Sequence, residues 1–223
     1  AGSSVIMLIG FKLAAEKPDK EHPFGHGRFE YISGLIVSLV IMLMGFELAK
    51  SSFDKILHPE AVDASLLTFA VLAVSIGIKL YMSAYNRTIG AKIDSVSMKA
   101  TAADSTSDVA ATSVVFLVTL FSAFSDLNLD GYCGLAVSFF ILYTGFNAAR
   151  DTIGPLLGQP PKEEFVEEIR KTVLSYPEIR GIHDLIVHDY GPGRVMISLH
   201  AEVDEHADFR ETHDVIDNAE RYL

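Results

Sequence analysis

The chain has 223 residues, 49% of them hydrophobic and 21% charged, with a single cysteine, Cys133, and a formal net charge of −11. One cysteine excludes an intrachain disulfide framework and a multi-cysteine metal site, and the acidic balance argues against nucleic acid and for cations as partners. Residues 160–223 hold 7 Lys/Arg against 15 Asp/Glu, so −8 of the −11 sits there, while the preceding 159 residues carry −3 with their charges clustered between apolar runs.

Ala1–Ala15 is apolar but only about half the length that crosses a hydrocarbon core. It opens without a basic n-region or an initiator Met, so no cleavable signal peptide is legible and a truncated start is expected. Four longer segments follow. Tyr31–Phe46 is uncharged and extends helically through Leu48 toward Phe53. Ala64–Ile78 continues past Lys79 to about Tyr85. Val109–Phe124 is extended backwards by a turn bearing Asp104 and Asp108, and Gly131–Ala149 is uncharged throughout. The alternative is a large buried helix in a soluble protein, but four such segments in succession exceed what one soluble core holds. One partial and four complete membrane spans are therefore expected.

Loop charges set the orientation. Lys17, Lys20 and Arg28 lie in the first loop, and Arg87, Lys92 and Lys99 before the Asp-bearing helix; the opposite side has Lys50 and Lys55 in one loop and no basic residue in Ser125–Asp130. The positive-inside bias places the basic pair of loops, and with them the acidic tail, in the cytoplasm of a multi-pass cell-membrane protein. Lys79, inside a span, is expected to snorkel toward the cytoplasmic surface, or else to pair with an acid such as Glu47 or Asp94. Gly34, Gly45, Gly77, Gly134 and Gly145 are expected to allow close helix packing.

Beyond Gly158-Gln-Pro-Pro the pattern changes to soluble α/β. Lys162–Tyr176 reads as an amphipathic helix started by Pro161 with Glu163 and Glu164 in its first turn. Gly181–Tyr190 reads as a strand and Gly191-Pro-Gly as a turn. Val195, Ile197, Leu199, Ala201 and Val203 then alternate with polar partners over a second strand. Phe209–Leu223 reads as a closing helix, and a further strand is expected to complete the sheet.

The chemistry concentrates at Asp104 and Asp108. Four residues apart on a helix, they share one face. Two acids at the edge of a membrane span are costly unless a cation joins them, which makes the pair a candidate ion path.

Three stretches together resemble the cation diffusion facilitator family: Asp19-Lys-Glu-His-Pro-Phe-Gly-His-Gly-Arg-Phe-Glu before a span, the Asp-x-x-x-Asp of Asp104 and Asp108, and Gly181-Ile-His-Asp in the tail. The resemblance implies an α-helical membrane bundle of the six-helix type with the first helix and half of the second absent, over residues 1–157. A small α/β ferredoxin-like, metallochaperone-like cytoplasmic domain lacking its last strand would occupy 158–223. It also implies a proton-coupled exporter of divalent metal working in the lipid bilayer as a homodimer through its cytoplasmic domains and membrane helices, with no organic cofactor. Asp104 and Asp108 would supply two ligands of a tetrahedral transport site, the other two coming from the absent part of the second helix.

In the zinc-preferring branch the first ligand on this helix is usually His. Here it is Asp104, and four oxygens suit Mn²⁺ better than a site containing imidazole, so Mn²⁺ is favoured with Zn²⁺, Fe²⁺ or Cd²⁺ also open. The resemblance adds a weak loop site at Asp19, His22 and His26, where the alternative is that Pro23, Gly25 and Gly27 merely shape the loop. It further adds a tail site at His183, His200 and His213, where the alternative is ordinary surface histidines; which of Asp184, Asp214 and Asp217 would join is not legible. A metal in the tail would offset repulsion between two acidic domains. The competing function is a non-transporting metal sensor or regulatory member of the same fold. An intramembrane metallohydrolase finds no support, since neither His-Glu-x-x-His nor a nucleophile–base pair is present.

Overall fold

The computed structural model describes residues 2–59, 65–122 and 130–223. Ala1, Ala64, Phe124 and most of the loop Ser125–Asp130, to which parts of the sequence reading refer, lie outside the described residues. The chain divides into two compact units, Ala1–Leu157 and Gly158–Leu223.

The first unit is helical: α1 Gly2–Ala14, α2 Phe29–Leu57, α3 Leu66–Lys92, α4 Val96–Ser122 and α5 Asp130–Leu157. The last four are long and apolar enough to cross a membrane; at 1.5 Å per residue, 27 residues reach about 40 Å, enough to cover core and headgroups. α2 packs along α5 and α3 along α4, while α4 also meets α2 and α5, and α1 lies on α2 and α4. Val37, Ile41, Ala100, Val137 and Ile141 form the common core. Leu43, Phe46, Phe139, Tyr143 and Phe146 point outward, as lipid-facing side chains do.

Small residues let the backbones approach. A Cβ on Gly34 would stand 2.8 Å from Thr152 Cγ2 and 3.1 Å from Ser97 Cα, and one on Gly145 2.8 Å from Met42 Cγ. Gly77 departs from the expectation, since a Cβ there would meet no other atom of the described residues within 4 Å. Buried hydroxyls turn back onto their own helices: Ser38 donates to Leu35 O and Ser138 to Leu135 O, each at 2.7 Å.

The Asp-bearing helix differs most from the sequence reading. α4 starts at Val96, thirteen residues before the apolar stretch that announces it. Ser95 fixes that start, accepting from Met98 N at 3.2 Å and donating to the buried Glu30 carboxylate of α2. Asp104 and Asp108 therefore lie inside the helix, about two and three turns from its beginning, rather than at its rim.

The second unit contains α6 Glu163–Val173, β1 Ile179–Asp189, β2 Val195–Val203 and α7 Phe209–Tyr222. The strands pair antiparallel, and Ile169, Val173, Ile179, Ile182 and Ala219 bury one face of the sheet beneath the helices. α7 is capped by Asp208, whose carboxylate accepts from Arg210 N at 3.0 Å and Glu211 N at 3.1 Å. Gly191 and Gly193, both with positive φ, close the hairpin.

Candidate metal centres

Inside the bundle, Asp104 is 7% exposed and accepts a hydrogen bond of 2.5 Å from Ser3 Oγ of α1. One turn on, Asp108 is paired through Oδ2 with the Lys79 ammonium of α3. The same stretch of α4 continues its polar contacts outward: Ser107 and Thr144 of α5 are 3.0 Å apart, and Thr106 and Ser83 of α3 are 2.7 Å apart. The two carboxylates thus face neighbouring helices. Lys79 takes the second of its two expected courses, pairing with an acid rather than snorkelling, but the acid is Asp108 and not Glu47 or Asp94. The register of α3 against α4, which spacing along one helix does not encode, brings it to Asp108.

Among the described residues, two groups of three acid and imidazole side chains have ligand atoms all within 4.8 Å of one another. The first is the loop Asp19, His22 and His26. Asp19 Oδ1 accepts from the backbone N–H of Glu21 at 2.9 Å and of His22 at 2.6 Å, which locks the carboxylate at the turn. The His22 N–H, against the opposing effect of desolvation and with help from the Glu21 N–H and the neighbouring imidazoles, holds the Asp19 carboxyl below its ordinary value. Gly25, at φ 83°, returns the chain so that His26 faces His22. His26 is buried against Phe29, and its Nδ1 meets no hydrogen-bond partner among the described residues.

The ligand atoms of this loop are spaced like a coordination shell. His22 Nδ1 and His26 Nε2 are 3.0 Å apart, His22 Nδ1 is 3.4 Å from Asp19 Oδ1, and His26 Nε2 is 3.6 Å from Asp19 Oδ2. Ligands about 2.0–2.1 Å from a tetrahedral Zn²⁺ stand roughly 3.3 Å from one another, and each imidazole nitrogen is near that distance from one Asp19 oxygen, His22 from Oδ1 and His26 from Oδ2.

The second group is in the tail. His183 and His200 are register partners on β1 and β2, with ring centroids 5.0 Å apart. Asp184 Oδ2 lies 3.1 Å from His183 Nδ1 and 3.6 Å from His200 Nδ1. Alternation would send Asp184 to the face opposite His183. Instead the strand bulges between His183 and Ile186, and Asp184 takes φ 52°, bringing both side chains together on the solvent side. His213, on α7, is exposed and outside this group. Sequence spacing put His183 and His200 on adjacent strands but gave no sign of the bulge that recruits Asp184.

Residues 1–157 match the family model for the cation efflux transmembrane domain, and residues 161–223 the one for the cation efflux protein cytoplasmic domain. An uncharacterized transporter of Methanocaldococcus jannaschii is 30% identical over 213 residues, covering 96% of this chain and 75% of that protein. The cation-efflux pump FieF of Serratia proteamaculans is 25% identical and that of Yersinia enterocolitica 26%, each over 221 residues, 99% of this chain and 73% of the pump. The chain belongs to the cation diffusion facilitator family. It is a multi-pass membrane protein whose C-terminal domain lies in the cytoplasm.

Proposed function

We propose that this protein exports divalent metal ions through a transport site to which Asp104 and Asp108 contribute oxygen ligands. The observation that carries the reading is the placement of two carboxylates on one face of α4, well inside a membrane-length helix, with Asp104 buried beside α1. Such groups are retained in a membrane span where an ion passes. Residues 1–157 serve as the transport domain and 158–223 as the cytoplasmic domain through which two copies associate, and helices rocking about the site expose it to one side and then the other.

Oxygen ligands without imidazole favour Mn²⁺, with Zn²⁺, Fe²⁺ and Cd²⁺ as further substrates. Protons drive the cycle by exchange: metal from the cytoplasm takes the carboxylate oxygens, and protons arriving from outside take them back. The loop group Asp19, His22 and His26 and the tail group around His183 and His200 bind metal on the cytoplasmic side, where imidazole suits Zn²⁺. A metal in the tail lowers the repulsion between two domains of net charge −8 each.

Proteoliposomes carrying a Mn²⁺-sensing dye test this under an imposed pH gradient. Mn²⁺ flux that follows the gradient and disappears in Asp104→Asn and Asp108→Asn supports the transporter. Flux unchanged in either variant removes the site, and metal binding with no flux in the unaltered chain favours the sensor.

A further inference from the structure

Lys79 is the one charged group of α3 that reaches the Asp pair among the described residues. None of the most apolar window of that helix is buried, yet the Lys79 side chain is only 23% exposed and is spent on Asp108. Along the same helix, Ala70, Val71, Val74, Ser75 and Ile78 line with Lys79 an open cleft of about 470 Å³ that is almost wholly apolar. Lys79 therefore pairs with the carboxylate at one end of an apolar cleft. Ser83, one turn further along α3, is 2.7 Å from Thr106 Oγ1, which holds the two helices in the register that brings Lys79 to Asp108.

A divalent ion bound to Asp108 would put two positive charges within a few ångströms of that ammonium, in surroundings that screen poorly. Lysine and metal are then alternatives at the same carboxylate. We propose that the Lys79 ammonium is the resident counter-ion of the transport site, occupying Asp108 between metal loads, so that a cation binds only by displacing it. This rests on the transport reading of Asp104 and Asp108. It makes Lys79 a specificity-determining residue: a monovalent ion that replaces the ammonium gains no charge, whereas a divalent ion gains one unit against two carboxylates. It also limits how tightly metal is held, because the lysine competes for the vacated oxygen at release. The exchange at Asp108 moves no proton and forms no covalent bond, so the protons of the transport cycle are taken up at Asp104.

The test is equilibrium titration of the purified intact chain with Mn²⁺ alone, the loop and tail groups being disabled by His22→Ala and His200→Ala in every sample and the free ion being read by electron paramagnetic resonance. Lys79→Gln keeps a donor toward Asp108 and removes the charge. It is expected to bind Mn²⁺ about tenfold more tightly or better, a change in dissociation constant well beyond titration error, and to become sensitive to Na⁺ at constant ionic strength. Lys79→Arg restores the weaker, Na⁺-insensitive binding. Equal or weaker Mn²⁺ affinity in Lys79→Gln overturns the counter-ion while leaving the site intact, provided binding is still lost in Asp108→Asn. Binding that survives Asp108→Asn overturns both. On the unaltered chain, amine labelling of Lys79 read by mass spectrometry rises when Mn²⁺ is added; labelling that stays constant or falls contradicts the displacement even if the variants do not fold.

Discussion

Ser3 and Asp104, 101 positions apart in the chain, are joined by a 2.5 Å hydrogen bond from the serine hydroxyl to the carboxylate, and both side chains are buried. One turn further along α4, Lys79 meets Asp108. The two acids of one helix are thus held from two sides, by a hydroxyl of α1 and by an ammonium of α3. A hydrogen bond to a charged partner contributes about 1.5–3 kcal/mol. Ser3→Ala is accordingly expected to lower unfolding stability in detergent by about 1–3 kcal/mol and to reduce transport less than Asp104→Asn. A Ser3→Ala protein as stable as the parent would show that the contact does not hold Asp104.

The loop group carries a pH signature. Its Asp19 carboxyl is depressed by the His22 backbone N–H, so the folded value lies below the unfolded one. That turn is favoured above the ordinary carboxylate value and loses its support as pH falls through the depressed value. The Glu21 and His22 amide signals are expected to respond to Asp19 protonation only below the ordinary carboxylate value. Asp19→Ala, which also removes a ligand, should weaken Zn²⁺ binding at the loop about tenfold or more. Amide shifts already complete near neutral pH would contradict the assignment.

In the tail, the bulge selects the ligands. His200→Ala and Asp184→Ala are each expected to lower Zn²⁺ affinity of the cytoplasmic domain about tenfold or more, measured by calorimetry on the intact chain with the loop site disabled. His213→Ala should change it little, because that side chain stands on α7 outside the group. A large effect of His213→Ala with none from Asp184→Ala would mean that the ligands come together differently when metal is bound.

Helix packing makes a paired prediction. A Cβ at position 34 meets the Ser97 backbone and the Thr152 side chain, while one at position 77 meets nothing. Gly34→Ala should destabilise the bundle by about 1–3 kcal/mol as overpacking, and Gly77→Ala should be neutral or slightly stabilising. Thermal unfolding of both variants in the same detergent checks the contrast, and equal effects would contradict this helix arrangement.

What was readable in the sequence follows from which contacts are local. The shared face of Asp104 and Asp108 is a consequence of helical period alone, and the Val195–Val203 alternation marks β2 to the residue. The start of α4 was hidden because Val96–Asp108 is rich in Ser, Thr and Ala and looks polar. Two of its hydroxyls bond within the helix, as Thr101 donates to Ser97 O at 3.1 Å and Thr106 to Ala102 O at 2.8 Å, while Ser97 Oγ and Ser105 Oγ are buried without a partner among the described residues. Lys79 with Asp108 and Ser3 with Asp104 depend on how separate helices slide past each other, and Asp184 depends on one left-handed residue in a strand. None of these three is written in spacing.

The most direct measurement is anomalous diffraction at the manganese edge from crystals soaked in Mn²⁺, on the parent chain and on Asp108→Asn. A peak beside Asp104 and Asp108 that vanishes in the variant is the expected result. Manganese found only at the His22 and His183 groups, with none beside the two carboxylates of α4, would contradict the transport site.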